Sequence, residues 1–67
     1  MNHSPINEIR DSIRAFGPCT IAKLAYQVKL QCDIGSKSPV DVVNGILLLP
    51  EFYVESVVDG EQFWNCK

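Results

Sequence analysis

The sequence contains no apolar run of the length that a membrane requires. A transmembrane helix needs about 20 consecutive apolar residues, whereas the longest run here covers only residues 45–50. Residues 1–15 carry polar and charged positions throughout, which is unlike the apolar core of a signal peptide. We therefore expect no membrane contact and a cytoplasmic location.

Paired cysteines are also lacking. The three cysteines, Cys19, Cys32 and Cys66, are an odd number and form no CxxC pair, whereas disulfide-stapled proteins and zinc sites show even sets or tight pairs. The single histidine, His3, stands in an N-terminal segment that we expect to be frayed. We expect reduced thiols that fill space, no metal site and no cofactor.

The first predicted helix spans residues 5–16. Ser4 and Pro5 suit its start, since serine can cap a free N–H group and proline needs no partner at the first position. Gly17 and Pro18 end it, because glycine accepts a left-handed conformation and proline stops a helix. An apolar stripe at helical spacing consists of Ile6, Ile9, Ile13 and Phe16.

The second predicted helix spans residues 20–30. Thr20 can cap it with its hydroxyl, and an apolar stripe follows at helical spacing: Ile21, Leu24, Ala25 and Val28. The connection that follows, residues 31–37, is longer than the three or four residues of a tight helix-turn-helix. We expect Ile34 in this loop to tuck onto the core or to pair as a short strand.

The third predicted helix spans residues 38–49. Ser38 and Pro39 mark its start, Asp41 lies where the helix dipole favours a carboxylate, and Pro50 ends it. Gly45 costs about 1 kcal/mol relative to alanine inside a helix, so we expect a close neighbour there. The face expected to be buried carries Val40, Val43 and Leu47, and Val42, Ile46 and Leu49 are expected to widen it.

A β-hairpin is predicted over residues 52–66, turning at Asp59-Gly60, which is a strong turn signal. Its register has two alternatives. A strict two-residue turn pairs Glu55 with Trp64 and scatters the apolar residues over both faces. A three-residue loop with Gly60 as a bulge is preferred because it buries more apolar surface. This second register groups Phe52, Val54, Trp64 and Cys66 on one face, and Tyr53, Glu55, Phe63 and Asn65 on the other.

These elements predict a single α+β domain over residues 1–67, with an ordered core over about 5–66. The expected architecture is a winged helix, in which three helices form the core and the C-terminal hairpin is the wing. The sequence resembles the short winged-helix regulators of bacterial fimbrial operons in residues 20–24 (TIAKL), 45–49 (GILLL), 52–54 (FYV) and the pattern of Gly60 with Phe63-Trp64. The resemblance covers roughly residues 6–66. It implies a DNA-binding regulator of transcription whose third helix reads DNA.

Five residues are candidate DNA contacts. Lys37 and Ser38 precede the third helix, where backbone N–H groups suit a phosphate. Asn44 has the side chain for a bidentate contact to adenine. Lys23 and Arg14 are candidate phosphate contacts, because lysine and arginine supply most of the affinity for the DNA backbone.

The distribution of charge favours a different partner. Residues 1–37 carry a net charge of +2 and residues 38–67 a net charge of −4, so the half expected to meet DNA has the wrong sign for it. The alternative is a protein–protein module that binds a basic partner through the third helix and the wing. Its candidate residues are Asp41, Leu48, Tyr53 and Glu55. A third alternative is an inhibitor that mimics the charge of DNA.

Catalysis has little support in this sequence. A cysteine nucleophile would need His3 beside a thiol, and Glu55 and Glu61 are expected at the tip of the wing, without a cleft to shift their pKa values. A substrate cavity of roughly 300 Å³ or more would remove much of the packing of so small a domain. We expect a non-enzymatic protein without a small-molecule substrate.

Two expectations concern packing. Arg10 on the first helix is expected to be solvated and paired with Glu8 or Asp11. The residues expected to be largely buried are Ile9, Ile13, Phe16, Leu24, Val28, Val43, Leu47 and Trp64.

Overall fold

The structure, a computed structural model, describes residues 4–67. The predicted frayed segment with His3 lies outside the described residues. The elements are α1 (Pro5–Phe16), α2 (Ile21–Gln31), α3 (Pro39–Ile46), β1 (Phe52–Val58) and β2 (Glu61–Cys66). The fold is therefore α+β, with three helices followed by an antiparallel two-stranded hairpin. Within residues 4–67 no helix is long and apolar enough to cross a membrane.

The starts of the helices follow the sequence signals, although only one cap is made by a side chain. The Thr20 hydroxyl accepts a hydrogen bond from the Lys23 N–H at 3.2 Å, as predicted. Ser4 and Ser38 hold the N-cap positions with extended backbone, but their hydroxyls make no cap hydrogen bond. At these two starts the proline that follows sets the helical φ.

The third helix is shorter than predicted and ends at Ile46 rather than at residue 49. The Leu49 N–H donates to the Ile46 carbonyl at 3.0 Å, so a tighter turn replaces the last helical turn. Pro50 explains this, because proline disfavours helical backbone at the residue before it. The apolar run 45–50 is consequently part helix and part turn.

The buried face of α3 matches the prediction except at its two ends. Val43 and Leu47 are buried, and the half-buried Val42 and Ile46 widen the face, as expected. Val40 and Leu49 were expected on this face but are 45% and 38% exposed, because they lie at its margin. The close neighbour expected at Gly45 is also wrong, since a Cβ built there meets no atom within 4 Å.

The core lies between the three helices and the base of the hairpin. Its buried members are Ile9, Ile13, Cys19, Leu24, Ala25, Val28, Cys32, Val43, Leu47 and Phe52. Six of the eight residues expected in the core are among them. Trp64 is half-buried and packs against this cluster, as does Ile34, which tucks onto the core as predicted.

Phe16 was expected in the core, and this was wrong. It is 56% exposed because it is the last residue of α1, where the chain turns away at Gly17 with a φ of 81°. The ring is covered instead by Lys23, whose ammonium group lies 4.1 Å from the ring centroid. This geometry suits a cation–π contact.

The register of the hairpin combines both predicted alternatives. Val58 pairs with Glu61, so the turn contains only Asp59 and Gly60, and both have positive φ, as the favoured two-residue turn requires. The expected bulge lies at Glu55 rather than at Gly60, because the register shifts between Val54 and Ser56. The expected facing pairs nevertheless form, with Phe52 opposite Cys66 and Val54 opposite Trp64.

A one-residue bridge ties the helices to the hairpin. Cys19, between α1 and α2, exchanges backbone hydrogen bonds with Trp64 of β2 at 3.0 and 2.7 Å. β2 therefore has a neighbour on each side, with β1 on one and Cys19 on the other.

Candidate interaction surfaces

The outward face of α3 and the turn after it form the first candidate surface. Asp41, Asn44 and Leu48 are all exposed, and they follow one another at spacings of three and four. Leu48 is 86% exposed, the most exposed of the large apolar residues. We call this face, with Val40, the α3 surface; it is apolar and acidic.

The structure does not bring the five candidate DNA contacts together. Lys37 and Ser38 lie just before α3, and Asn44 lies on its exposed face. Lys23, however, is in the first turn of α2, whereas Lys37 follows the other end of that helix, which is about 16 Å long. Lys23 also covers the Phe16 ring, and Arg14 lies on α1.

Arg10 of α1 forms an ion pair with Glu51, which lies in the acidic half of the chain. Arg10 donates from Nε and a terminal nitrogen to the two carboxylate oxygens of Glu51, at 2.8 and 2.5 Å. This hydrogen-bonded pair raises the pKa of Arg10 and lowers the pKa of Glu51. The expected partners of Arg10, Glu8 and Asp11, were wrong, because Glu8 points inward on α1.

Glu8 is instead buried on α1. Its carboxylate accepts a hydrogen bond from the Ser12 hydroxyl at 3.1 Å, one helical turn away. A buried carboxylate requires such partners. Nothing in the sequence distinguished Glu8 from a solvated helix residue, since its neighbours Asn7 and Asp11 are polar too.

The outer face of the hairpin forms a second candidate surface. Tyr53 is exposed there, and the Glu55 carboxylate accepts a hydrogen bond from the Asn65 amide at 2.9 Å. No Cα of α3 lies within 8 Å of a Cα of β1. The predicted partner-binding residues are thus divided, with Asp41 and Leu48 on the α3 surface and Tyr53 and Glu55 on the hairpin.

A groove between the start of α2 and the end of the hairpin was not foreseen. It has a volume of about 370 Å³, is open to solvent, and is lined by Thr20, Ile21, Ala22, Val57, Gly60, Glu61 and Gln62. Its two walls are more than 30 residues apart in the chain, so no local pattern could reveal it. Among the described residues that line the groove there is one carboxylate, from Glu61, and no histidine or cysteine.

The three cysteines are free thiols, and two of them lie in the core. Cys19 and Cys32 are buried and free, and burial raises the pKa of each thiol. The Cys19 thiol donates to the Gly17 carbonyl at 3.1 Å. Among residues 4–67 no three histidine, cysteine or acidic side chains are placed to share a metal ion.

Compared with known proteins, the chain matches no family model, no curated protein and no solved structure. The resemblance to the fimbrial-operon regulators therefore stays a prediction.

Proposed function

We propose that this chain is a small winged-helix module that acts by binding a protein partner and has no catalytic activity. Two features support the winged-helix architecture: the hairpin follows three helices, and Cys19 forms a third, one-residue strand beside β2. Fold alone does not assign function, so the function rests on the exposed side chains.

The observation that carries the proposal is the chemistry of the α3 surface. Residues 39–66, which include α3 and the whole hairpin, contain five acidic residues and no lysine or arginine. Leu48 projects beside Asp41, the acidic residue of the α3 surface, with most of its side chain in water. An apolar centre with a polar rim is the usual composition of a protein-binding site, and the negative charge of Asp41 favours a basic partner.

The experiment is affinity capture from an extract of the source cells. We expect the wild type to retain a basic protein that is lost when Asp41→Lys and Leu48→Ala are combined. The matched control combines Asp11→Lys with Leu30→Ala, because it makes the same change of charge and the same apolar truncation at exposed residues of α1 and α2. The retained protein, once purified, should bind the wild type and the control directly, and more weakly as salt increases.

The proposal is wrong if the two double variants retain the same proteins to the same extent. Thermal unfolding of both variants shows whether each remains folded. All four substituted residues are exposed, so each change should alter stability by only about 0.5 kcal/mol.

DNA binding is the second candidate. The observation that favours it is that Lys37 and Ser38 are exposed immediately before α3 and that Asn44 is exposed on it. If it holds, a DNA duplex should bind at low salt, and Lys37→Glu should weaken binding uniformly across sequences and reduce the salt slope by about one. Absence of binding at low salt excludes this candidate. If the chain instead binds a protein partner, Lys37→Glu should leave the affinity for that partner nearly unchanged.

A further inference from the structure

The outer edge of β1 is uncovered. β2 separates β1 from Cys19, and β1 pairs only with β2. In the described part of the chain no helix Cα lies within 8 Å of a Cα of β1, whereas β2 lies near both α1 and α2. Natural proteins usually protect such an edge with charged side chains, especially lysine, with proline, with a β-bulge or with a covering segment. β1 has the bulge and one charged residue, both at Glu55, but neither lysine nor proline, so the edge on each side of Glu55 is left open.

The hydrogen bonds of the hairpin indicate which backbone groups face outward. The Lys67 N–H donates to the Glu51 carbonyl at 2.8 Å. In an antiparallel pair, alternate residues of a strand bond to the neighbouring strand. Counting from Glu51, the backbone N–H and carbonyl groups of Val54 therefore point away from β2. The bulge at Glu55 resets this alternation. Val58 and Glu61 then form the hydrogen-bonded pair that closes the two-residue turn. Because bonded residues alternate along the strand, the backbone groups of Val57 point outward.

The side chains along this edge divide by face. Val54 shares its face with Trp64, which packs against the core, and Val57 lines the groove beside α2. Glu55 lies on the opposite, outer face, where Asn65 binds it. One face of the edge is therefore apolar, and the outer face carries an acidic residue.

We propose that the open edge of β1 binds an extended segment of a protein partner as an added strand, in which basic residues alternate with apolar ones. The added backbone would bond to Val54 and Val57, as in other complexes formed by strand addition. Apolar side chains would lie beside these valines, and basic ones beside Glu55.

Charge selects this occupant over a second copy of the chain. The hairpin carries Glu55, Asp59 and Glu61 and no basic residue, so pairing two copies edge to edge would bring like charges together. A basic segment replaces this repulsion with attraction. The inference rests on the proposed function for the class of partner and adds where and how that partner binds.

The probe is a synthetic heptapeptide of alternating lysine and valine, added to the full chain at about 50 mM salt, where surface charges are weakly screened. We expect the amide resonances of Val54 and Val57 to shift and their hydrogen exchange to slow. A peptide of the same sequence with N-methylated valines offers the same charge without those backbone donors. It should bind at least about fivefold more weakly, the equivalent of a lost hydrogen bond.

Two variants test the backbone and the charge separately. Val57→Pro removes an outward N–H group without removing a bond to β2, and it should weaken peptide binding roughly two- to tenfold. Val57→Thr, which keeps the N–H group, is the matched control. Glu55→Gln should weaken binding by about two- to fivefold, and the difference should disappear at about 500 mM salt.

Four outcomes overturn the inference. Equal binding of the N-methylated peptide means attraction by charge alone, and a dimer of the free chain that protects the same amides means that the occupant is a second copy. Shifts confined to Asn44 and its neighbours mean that the peptide binds the α3 surface, which leaves the proposed function standing. If neither region responds to the peptide, the edge inference is wrong, and the capture experiment decides on the proposed function alone.

Discussion

Residues 4–37 and residues 38–67 are similar in length but bury their apolar side chains to different extents. The first region, with α1 and α2, supplies seven of the ten buried core residues and three of the ten exposed large apolar residues. The second region, with α3 and the hairpin, reverses these numbers. It supplies three buried core residues and seven exposed apolar ones.

The two regions also differ in the sign of their charge, as the sequence shows. Burial of apolar surface stabilises a small domain, so the first region contributes most of this stabilisation. Exposed apolar groups contribute little to stability, and they are typical of contact surfaces where they form a contiguous patch. The region with α1 and α2 thus supplies most of the buried core, whereas α3, the turn after it and β1 carry most of the exposed large apolar side chains.

The largest effect is expected at two neighbouring leucines in the second region. Leu47 is 4% exposed and Leu48 is 86% exposed. Leu47→Ala should lower the free energy of unfolding by about 2–5 kcal/mol, because it leaves a cavity in the core. Leu48→Ala should change it by less than about 0.5 kcal/mol. Chemical denaturation of both variants measures this difference, and similar losses would show that Leu48 is also buried.

A smaller effect is expected inside the first region, at the buried pair of α1. Ser12→Ala removes the hydroxyl that donates to the Glu8 carboxylate. A hydrogen bond to a buried charged group stabilises by about 1.5–3 kcal/mol, so the loss should be of that order in denaturation. Ser36→Ala, in an exposed loop, is the control. Equal stability of the two variants would mean that Glu8 does not depend on Ser12.

Much of the fold could be predicted because its signals are local. Proline and glycine at fixed positions mark the ends of α1, and the Asp59-Gly60 pair marks the turn. The errors arose where tertiary packing decides. Val40 fits the helical spacing of α3 but is exposed, and Phe16 fits the helical spacing of α1 but lies where no other element covers it. Neither outcome can be read from spacing within one helix.

The candidate surfaces were predictable only in part. The exposure of Asp41, Asn44 and Leu48 follows from helical spacing. The pairing of Arg10 with Glu51, the open edge of β1 and the groove beside α2 depend on residues distant in the chain. Placing the bulge at Glu55 required the actual pairing of the strands, since the sequence offered Gly60 as the more obvious site.

Gly45 is a position at which a substitution should increase stability, because the second region should tolerate change at its exposed positions. A Cβ at Gly45 meets no atom within 4 Å, and alanine is favoured over glycine inside a helix. Gly45→Ala should therefore raise the free energy of unfolding by about 0.5–1 kcal/mol. A loss of stability would indicate a close contact that the structure lacks. The control is Gly60→Ala, which should destabilise because Gly60 has a φ of 81°.

The smallest effect is expected at the ion pair that joins the two regions. Arg10 and Glu51 are each about one-third exposed, and exposed pairs contribute little to stability. The hydrogen bonds from Arg10 lower the pKa of Glu51. A carboxylate with a lowered pKa stabilises the folded state above its unfolded pKa of about 4.3, and this contribution is lost as the pH falls through the folded pKa.

Arg10→Gln should therefore lower the Tm slightly at pH 7, and the difference from the wild type should shrink as the solution is made more acidic than the unfolded pKa. Lys29→Gln removes an exposed positive charge on α2 and serves as the control. Its Tm should differ less from that of the wild type at neutral pH. If the Arg10→Gln difference persisted undiminished in acid, the arginine would act by packing its aliphatic stem between α1 and the turn after α3. The two regions would then be joined by an apolar contact that no change of pH can release.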